Sequence, residues 1–295
     1  MSHPYKTRKG GATVTIFVPY DCRNNCPFCI NKKEYADCSG FSAEKIIDSI
    51  RVMDEITPEC DFVFTGGEPF AQIETLQRMI DAIPATHKIY INTTFPVQPG
   101  CSAEEMLEFT RRNKDKITCI NISRHLQRYV EESPDEVVAQ IATPTRINCV
   151  LYKNYPAAKL RDYAERWLKH GIPVQYRYDY TVTTPENLYD EEDDKILHDL
   201  REQFTYMGLD GCRMRNGFHF EYKGLHMTYH KTLPYSTIVD TDENGVTYDI
   251  LYDILIKQNG DIHSDWTNVE LDVEKYRNVV FEPYDLKVLN GTIDF

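Results

Sequence analysis

No apolar run in the 295-residue sequence approaches the ~18 residues that span a bilayer, so a membrane partner is not expected. The start, Met1-Ser2-His3-Pro4-Tyr5-Lys6, has no apolar stretch of the secretory type. Basic excess is missing too. Formal net charge is −13, whereas a duplex-binding surface needs cations to neutralise phosphates. Nucleic acid is therefore disfavoured as the main partner, although a local basic pocket for one nucleotide is not. A disulfide framework is also absent, since the nine cysteines are odd in number and, one cluster apart, scattered. A reducing, cytoplasmic setting fits that usage. There is no internal repeat and no low-complexity run. What remains is an ordinary globular composition, 41% apolar, with length for one large domain or two small ones.

The cluster is Cys22-Arg23-Asn24-Asn25-Cys26-Pro27-Phe28-Cys29. Three thiolates can hold three corners of an iron–sulfur cube and leave the fourth iron open. A zinc site asks for a fourth Cys or His, and none stands at the usual short spacing; Cys38 follows without a partner. Zinc with a remote ligand, or a non-catalytic iron–sulfur redox sensor, stays open on the cysteines alone.

The stretch 12–20 is rich in β-branched and aromatic residues and predicts a strand running into the cysteine loop. Ser42 then caps a predicted helix over about 43–56, with Ile46, Ile47, Ile50 and Met53 on one face. Further strands are expected at 61–65, 88–95, 117–123, 146–152 and 173–182. Helices are expected at about 73–83, 102–116, 134–141, 157–170 and 191–207. Six β–α pairs in a row predict a parallel sheet with helices on one side. Six units are too few for a closed eight-stranded barrel, so an open partial (β/α)6 barrel fits. Three parts are expected: an N-terminal arm over 1–11, the barrel over 12–210, and a small antiparallel C-terminal appendage over 211–295. Function in such folds gathers at the C-terminal strand ends. The cysteine loop and Gly66-Gly67-Glu68-Pro69 both fall there. Two glycines allow close backbone approach to a ligand, and a carboxylate beside them can meet an ammonium group.

The cysteine loop after the first strand, the Gly66–Pro69 turn after the second and the six βα units together resemble the radical S-adenosylmethionine (radical SAM) enzymes over about residues 12–210. The resemblance implies a [4Fe-4S] cluster on Cys22, Cys26 and Cys29, with SAM filling the open iron through its amino and carboxylate groups. One electron then cleaves SAM to methionine and a 5′-deoxyadenosyl radical, which takes a hydrogen atom from the substrate. It implies an electron donor such as flavodoxin or ferredoxin. By the same resemblance Phe28 meets the adenine through its backbone, Gly66, Gly67 and Glu68 cradle the methionine amino group, Ser123 binds ribose hydroxyls and Asn148 makes another SAM contact. As ordinary polar strand ends, Ser123 and Asn148 would be turn formers or caps.

Other polar residues aim at the same ends: Asn92, Thr93, Thr94, Arg124, His125, Arg177 and Asp179. Arg177, Asp179 and His125 are the candidate catalytic or substrate groups. Gln175, Arg177 and Asp179 alternate with Tyr176, Tyr178 and Tyr180, and the polar face is the better one for the barrel interior. Arg177 could anchor a substrate carboxylate or phosphate, or pair with Asp179 or Glu68. His219, His226, His230 and His263 match no common zinc spacing. The stretch 254–266 resembles the tail of radical SAM enzymes with an auxiliary-cluster extension, but Ser264 and Asp265 stand where a cysteine is expected. A single cluster is therefore expected, and Cys119 and Cys149 are expected in the core. The substrate expected is a small polar metabolite (nucleotide, sugar or amino acid), with a peptide or protein side chain second.

Overall fold

A computed structural model describes every residue except 1–2, 9–10, 19–21, 34–39, 58, 97–100, 128–131, 213, 235–236, 267–268 and 283–295. Cys38 lies outside the described residues. The order begins β1 (Tyr5–Arg8), β2 (Thr13–Val18), α1 (Ala43–Ile56), β3 (Asp61–Gly66), α2 (Ile73–Asp81), β4 (Lys88–Thr93) and α3 (Ala103–Arg112). It continues with β5 (Cys119–Ser123), α4 (Asp135–Val138), β6 (Thr145–Val150), α5 (Leu160–Leu168), β7 (Val174–Arg177) and α6 (Lys195–Arg201). The C-terminal part holds β8 (Thr205–Cys212), β9 (Arg215–Tyr222), β10 (Leu225–Thr232), β11 (Thr237–Thr241), β12 (Thr247–Leu251), β13 (Asp253–Ile256), β14 (Ile262–His263), α7 (Val273–Tyr276) and β15 (Val280–Glu282).

Local chemistry sets the helices. Ser42 accepts from the Lys45 amide at the start of α1, whose buried face is Ile46, Ile47, Ile50 and Met53. Ser102 and Glu105 form a reciprocal capping box on α3. The hairpin turn between β9 and β10 holds Lys223 and Gly224, both at positive φ, which suits the strand twist.

The main sheet has eleven strands in the order β14-β13-β2-β3-β4-β5-β6-β7-β10-β9-β8. Strands β2 to β7 are parallel neighbours, as the six βα units predict. Two strands of the C-terminal part extend that parallel run. β13 pairs with β2, Leu255 opposite Thr15, and β10 pairs with β7, His230 opposite Arg177. The expected appendage is thus continuous with the barrel sheet, and antiparallel partners (β9 and then β8 next to β10, β14 next to β13) add to the outer sides of those two strands. Both outer edges of the six-strand core would otherwise present unpaired backbone groups.

Several boundaries move. The N-terminal arm contributes β1, which lies in a second sheet of order β11-β12-β1-β15. The sixth barrel strand stops at Arg177, because the Asp179 side chain accepts from the Thr181 amide and starts a 3-10 turn. The helix expected to 207 ends at Arg201, and β8 takes over from Thr205.

Side chains alternate across the barrel wall. Val14, Ile16, Phe62, Phe64, Ile89, Ile91, Ile120, Ile122, Ile147, Val174 and Tyr176 are fully or nearly fully buried and form the sheet side of the core. Their neighbours Thr13, Thr15, Thr65, Asn92, Ser123, Asn148 and Arg177 line an internal cavity. Cys149 is in the core as expected. Cys119 is not: it is half-buried, in register with the polar face, and its thiol points to Asn121 Oδ1. No helix among the described residues is long and apolar enough to cross a membrane.

Candidate functional site

The cavity measures about 440 Å³. All twelve candidate residues line it: Cys22, Cys26, Phe28, Cys29, Gly66, Gly67, Glu68, Ser123, His125, Asn148, Arg177 and Asp179. They come from the ends of β2, β3, β5, β6 and β7 and the segments that follow, which is where a parallel sheet gathers loops.

The wall made by β3 and β4 is tightly bonded. Gly66 has φ +109, and a Cβ there would collide with the Val18 backbone of the neighbouring strand. Gly67 N donates to Val18 O at 2.6 Å. Together these glycines let the turn close against β2 before the chain reaches Glu68. The Glu68 carboxylate is buried, at 2% exposure. Its Oε1 accepts from Phe70 N at 3.1 Å and from the Thr93 hydroxyl, and its Oε2 accepts from Thr94 N at 2.9 Å and Thr94 Oγ1 at 2.8 Å. The carboxylate thus carries four donors, two per oxygen, and ties the β3 turn to the end of β4. Burial still holds its pKa above the usual carboxylate range, against those hydrogen bonds. Thr94 is fixed in turn: the fully buried Arg124 donates to its carbonyl at 2.7 Å and to Ser133 O and Oγ. Phe95, the next residue, is a buried aromatic at φ +48 whose amide donates to Thr93 Oγ1 at 2.7 Å. A bulky side chain in that region is strained, and the strain lies beside the carboxylate clamp.

The cysteine loop faces this wall. Asn24 Nδ2 lies 3.4 Å from Thr94 Oγ1 and 3.8 Å from Cys22 Sγ. Burial raises the Cys22 thiol above its ordinary value, so a bound metal is what would hold it as a thiolate. Phe28 packs on His125 with centroids 4.9 Å apart and on Tyr152 at 5.5 Å. His125 is buried, and its Nδ1 accepts from Val150 N at 3.1 Å. Burial, then the adjacent Arg124 charge, push its pKa down to about 3. A neutral imidazole so placed supports the Phe28 ring and is poorly suited to hold a proton.

The far wall differs. Arg177 is partly buried, and its one described hydrogen bond goes to Gln175 Oε1 at 3.4 Å. Neither ion pair considered from the sequence, with Asp179 or with Glu68, is made: the Asp179 carboxylate accepts from Thr181 N and Oγ1. Asn148 Oδ1 is buried with no partner among the described residues, and so is Asn31 Oδ1 beside the cysteines.

Nine lining residues come from the chain beyond the six-strand core; among them Arg215, Asp253 and Trp266 escaped the sequence, while His230 is one of the four histidines it singled out. Their only local signal was strand alternation, and their approach depends on the β10–β7 and β13–β2 pairings. Trp266 meets the Phe17 ring edge-on at 5.3 Å. His219 and His226 are not among the lining residues; they lie 3.3 Å apart through Nδ1 and Nε2, with Asp210 at 3.3 Å from His219.

These residues fit a cluster and a bound cosubstrate. Among the described residues no three His, Cys, Asp or Glu side chains converge on one ion. The three thiols instead share a cavity wall, and a cluster, whose cysteines each take a different iron, asks for that wider spread. The orphaned Asn31 and Asn148 oxygens offer acceptors to a ligand rich in N–H and O–H groups.

A cysteine loop leaving the first strand of an open parallel barrel stands opposite a glycine-rich turn with a buried carboxylate, the arrangement that the sequence's resemblance to the radical SAM enzymes implies. Residues 9–136 match the family described as 4Fe-4S single cluster domain. That match covers less than half of the chain. No protein of curated function matches it. Among solved structures it is similar to native anSMEcpe with bound AdoMet and Cp18Cys peptide, at 17% identity and a TM-score of 0.43 over 65% of this chain and 54% of that one. It is also similar to Streptococcus suis SuiB, at 16% identity and a TM-score of 0.42 over 57% of this chain and 40% of that one. The chain spans about half of the length of anSMEcpe and less of SuiB.

Proposed function

We propose that the chain is a radical SAM enzyme with one [4Fe-4S] cluster, which cleaves SAM reductively and abstracts a hydrogen atom from an organic substrate held in the barrel. The observation that carries this is the meeting of three thiols, the Glu68 clamp and a polar barrel interior in one cavity. When bound, the cluster and SAM supply a 5′-deoxyadenosyl radical from one electron, delivered by a reduced flavodoxin or ferredoxin.

The protein's own residues do the rest. Cys22, Cys26 and Cys29 hold the cluster. Gly66 and Gly67 bring backbone close to the methionine end, and Glu68 supplies negative charge for its ammonium group. Phe28, braced by His125 and Tyr152, borders the adenine. Ser123 and the unpartnered Asn148 oxygen face the ribose side. The wall of β7 and β10, with Arg177, faces the substrate.

A peptide segment is placed ahead of a small polar metabolite, the reverse of the order taken from the sequence. Half-buried Tyr178, Tyr180 and Trp266 line the same cavity as the polar interior, and such amphipathic aromatics suit peptide contacts. Anaerobic reconstitution should give about four irons per chain, SAM binding, and 5′-deoxyadenosine on reduction. Incubation with separate peptide and metabolite fractions should raise its yield with one of them. An iron–sulfur protein that binds no SAM would be a redox sensor instead.

A further inference from the structure

We infer that Arg177, reinforced by its lining neighbour Arg215 and by the nearby charge of Arg146, receives an anionic oxygen group of the substrate, a carboxylate or a phosphate. This rests on the reading of the barrel as a substrate chamber, and it names what that substrate must carry.

The warrant is an imbalance of charge and of hydrogen bonds. A guanidinium has five N–H donors in a planar fork. Arg177 spends one of them, on a 3.4 Å contact to Gln175 Oε1, and no described carboxylate lies within ion-pair distance. Removing an unpaired charge from water is costly. Burial, then the Arg146 and Arg215 charges, lower the Arg177 pKa to about 10.

The neighbours do not restore the balance. Arg146 is turned to Asn121 Oδ1, a neutral acceptor. Arg8, at the base of the cavity, already pairs with Asp61 at 3.0 Å. Asp179 serves its own turn. His230, opposite Arg177 on β10, is kept neutral by burial and by the arginines. Asp253 is the acid that this group feels, yet it makes no described ion pair, and burial pushes its carboxyl pKa up. Arg177 and Arg146 thus meet only neutral acceptors among the described residues, in a chain of net charge −13. A carboxylate or phosphate, each able to accept two N–H bonds side by side, is the group that fork geometry fits.

The test measures binding of inorganic phosphate and of acetate to the full chain by equilibrium dialysis, with SAM binding followed in parallel. The wild type should bind at least one anion. Arg177→Gln should weaken it at least tenfold, and Arg177→Lys, which keeps charge but loses the fork, several-fold. Asp253→Asn should tighten it, and the exposed control Arg51→Gln should change nothing. Stronger phosphate binding assigns a phosphoryl-bearing substrate, and stronger acetate binding a carboxylate-bearing one. The inference is overturned if the wild type binds neither anion, if Arg177→Gln binds them as the wild type does, or if Arg177→Gln loses SAM as well. Should Arg177→Gln fail to fold, Arg177→Lys decides. Release of 5′-deoxyadenosine by the reduced holoenzyme tests the enzymatic reading separately, so the two can fail independently.

Discussion

The two walls of the barrel cavity are built to different standards. On the β3–β4 side, every acceptor position of Glu68 is taken, Thr94 is held by Arg124, and the turn tolerates no side chain at Gly66. On the β6–β7 side, Asn148 Oδ1 has no described partner and Arg177 has one long bond. A fully bonded wall is fixed before anything arrives, which suits a cofactor that must be held the same way at every turnover. Under-bonded polar groups leave their bonds to an incoming molecule, at some cost to stability while it is away.

The largest effect of a change within this contrast is expected from Glu68→Gln. A backbone amide donates to each carboxylate oxygen, from Phe70 on one side and Thr94 on the other. Either orientation of the new amide therefore sets an NH2 against a donor that cannot turn. Stability should fall by about 1–3 kcal/mol in urea unfolding, and SAM affinity more than tenfold. A variant as stable as the wild type would remove the claim that this wall is pre-organised. Asn148→Leu should do the opposite, keeping stability within about 1 kcal/mol because it deletes an unsatisfied group. Its SAM affinity should still drop. A large stability loss would mean that the β6 side is as tightly bonded as the β4 side.

The smallest effect at neutral pH concerns His125. Its folded pKa, about 3, lies below its unfolded value. As pH falls below about 6.5 the unfolded chain binds a proton that the folded chain refuses, so stability rises with pH across that window and is lost on acidification. His125→Asn keeps an acceptor for Val150 N and removes the titration. Its stability–pH curve should be flatter between pH 6 and 4, by up to about 1.4 kcal/mol per unit for one group. An unchanged slope would mean that His125 titrates freely and is not the fixed brace for Phe28.

What was legible in the sequence follows the same division. The cysteine spacing, the Gly66–Pro69 turn and the Ser42 and Ser102 caps are local signals, and the structure places them as read. The alternation that turns Arg177 inward and Tyr176 outward is local too, but it fails beyond Arg177, where the strand ends and Tyr178 and Tyr180 line the cavity beside Asp179. Arg215, His230, Asp253 and Trp266 reach the cavity only because β10 and β13 pair with the outer barrel strands, and no local pattern encodes such long-range register. The four-donor clamp on Glu68 was hidden for a similar reason. Thr93 and Thr94 were visible as a polar strand end, but their partner lies in the turn that follows another strand. Cys119 was misread because a small thiol suits either face of a strand, and only its register with Asn121 and Ser123 turns it inward.

The central claim is that Cys22, Cys26 and Cys29 carry a cluster whose open position serves SAM. The direct measurement is 5′-deoxyadenosine released by the anaerobically reconstituted, reduced full chain, beside Cys26→Ala prepared in the same way. The account predicts steady release from the wild type and none from the variant, with circular dichroism showing both folded. Equal release from the two proteins, or none from a wild type that holds its full complement of iron, would contradict it.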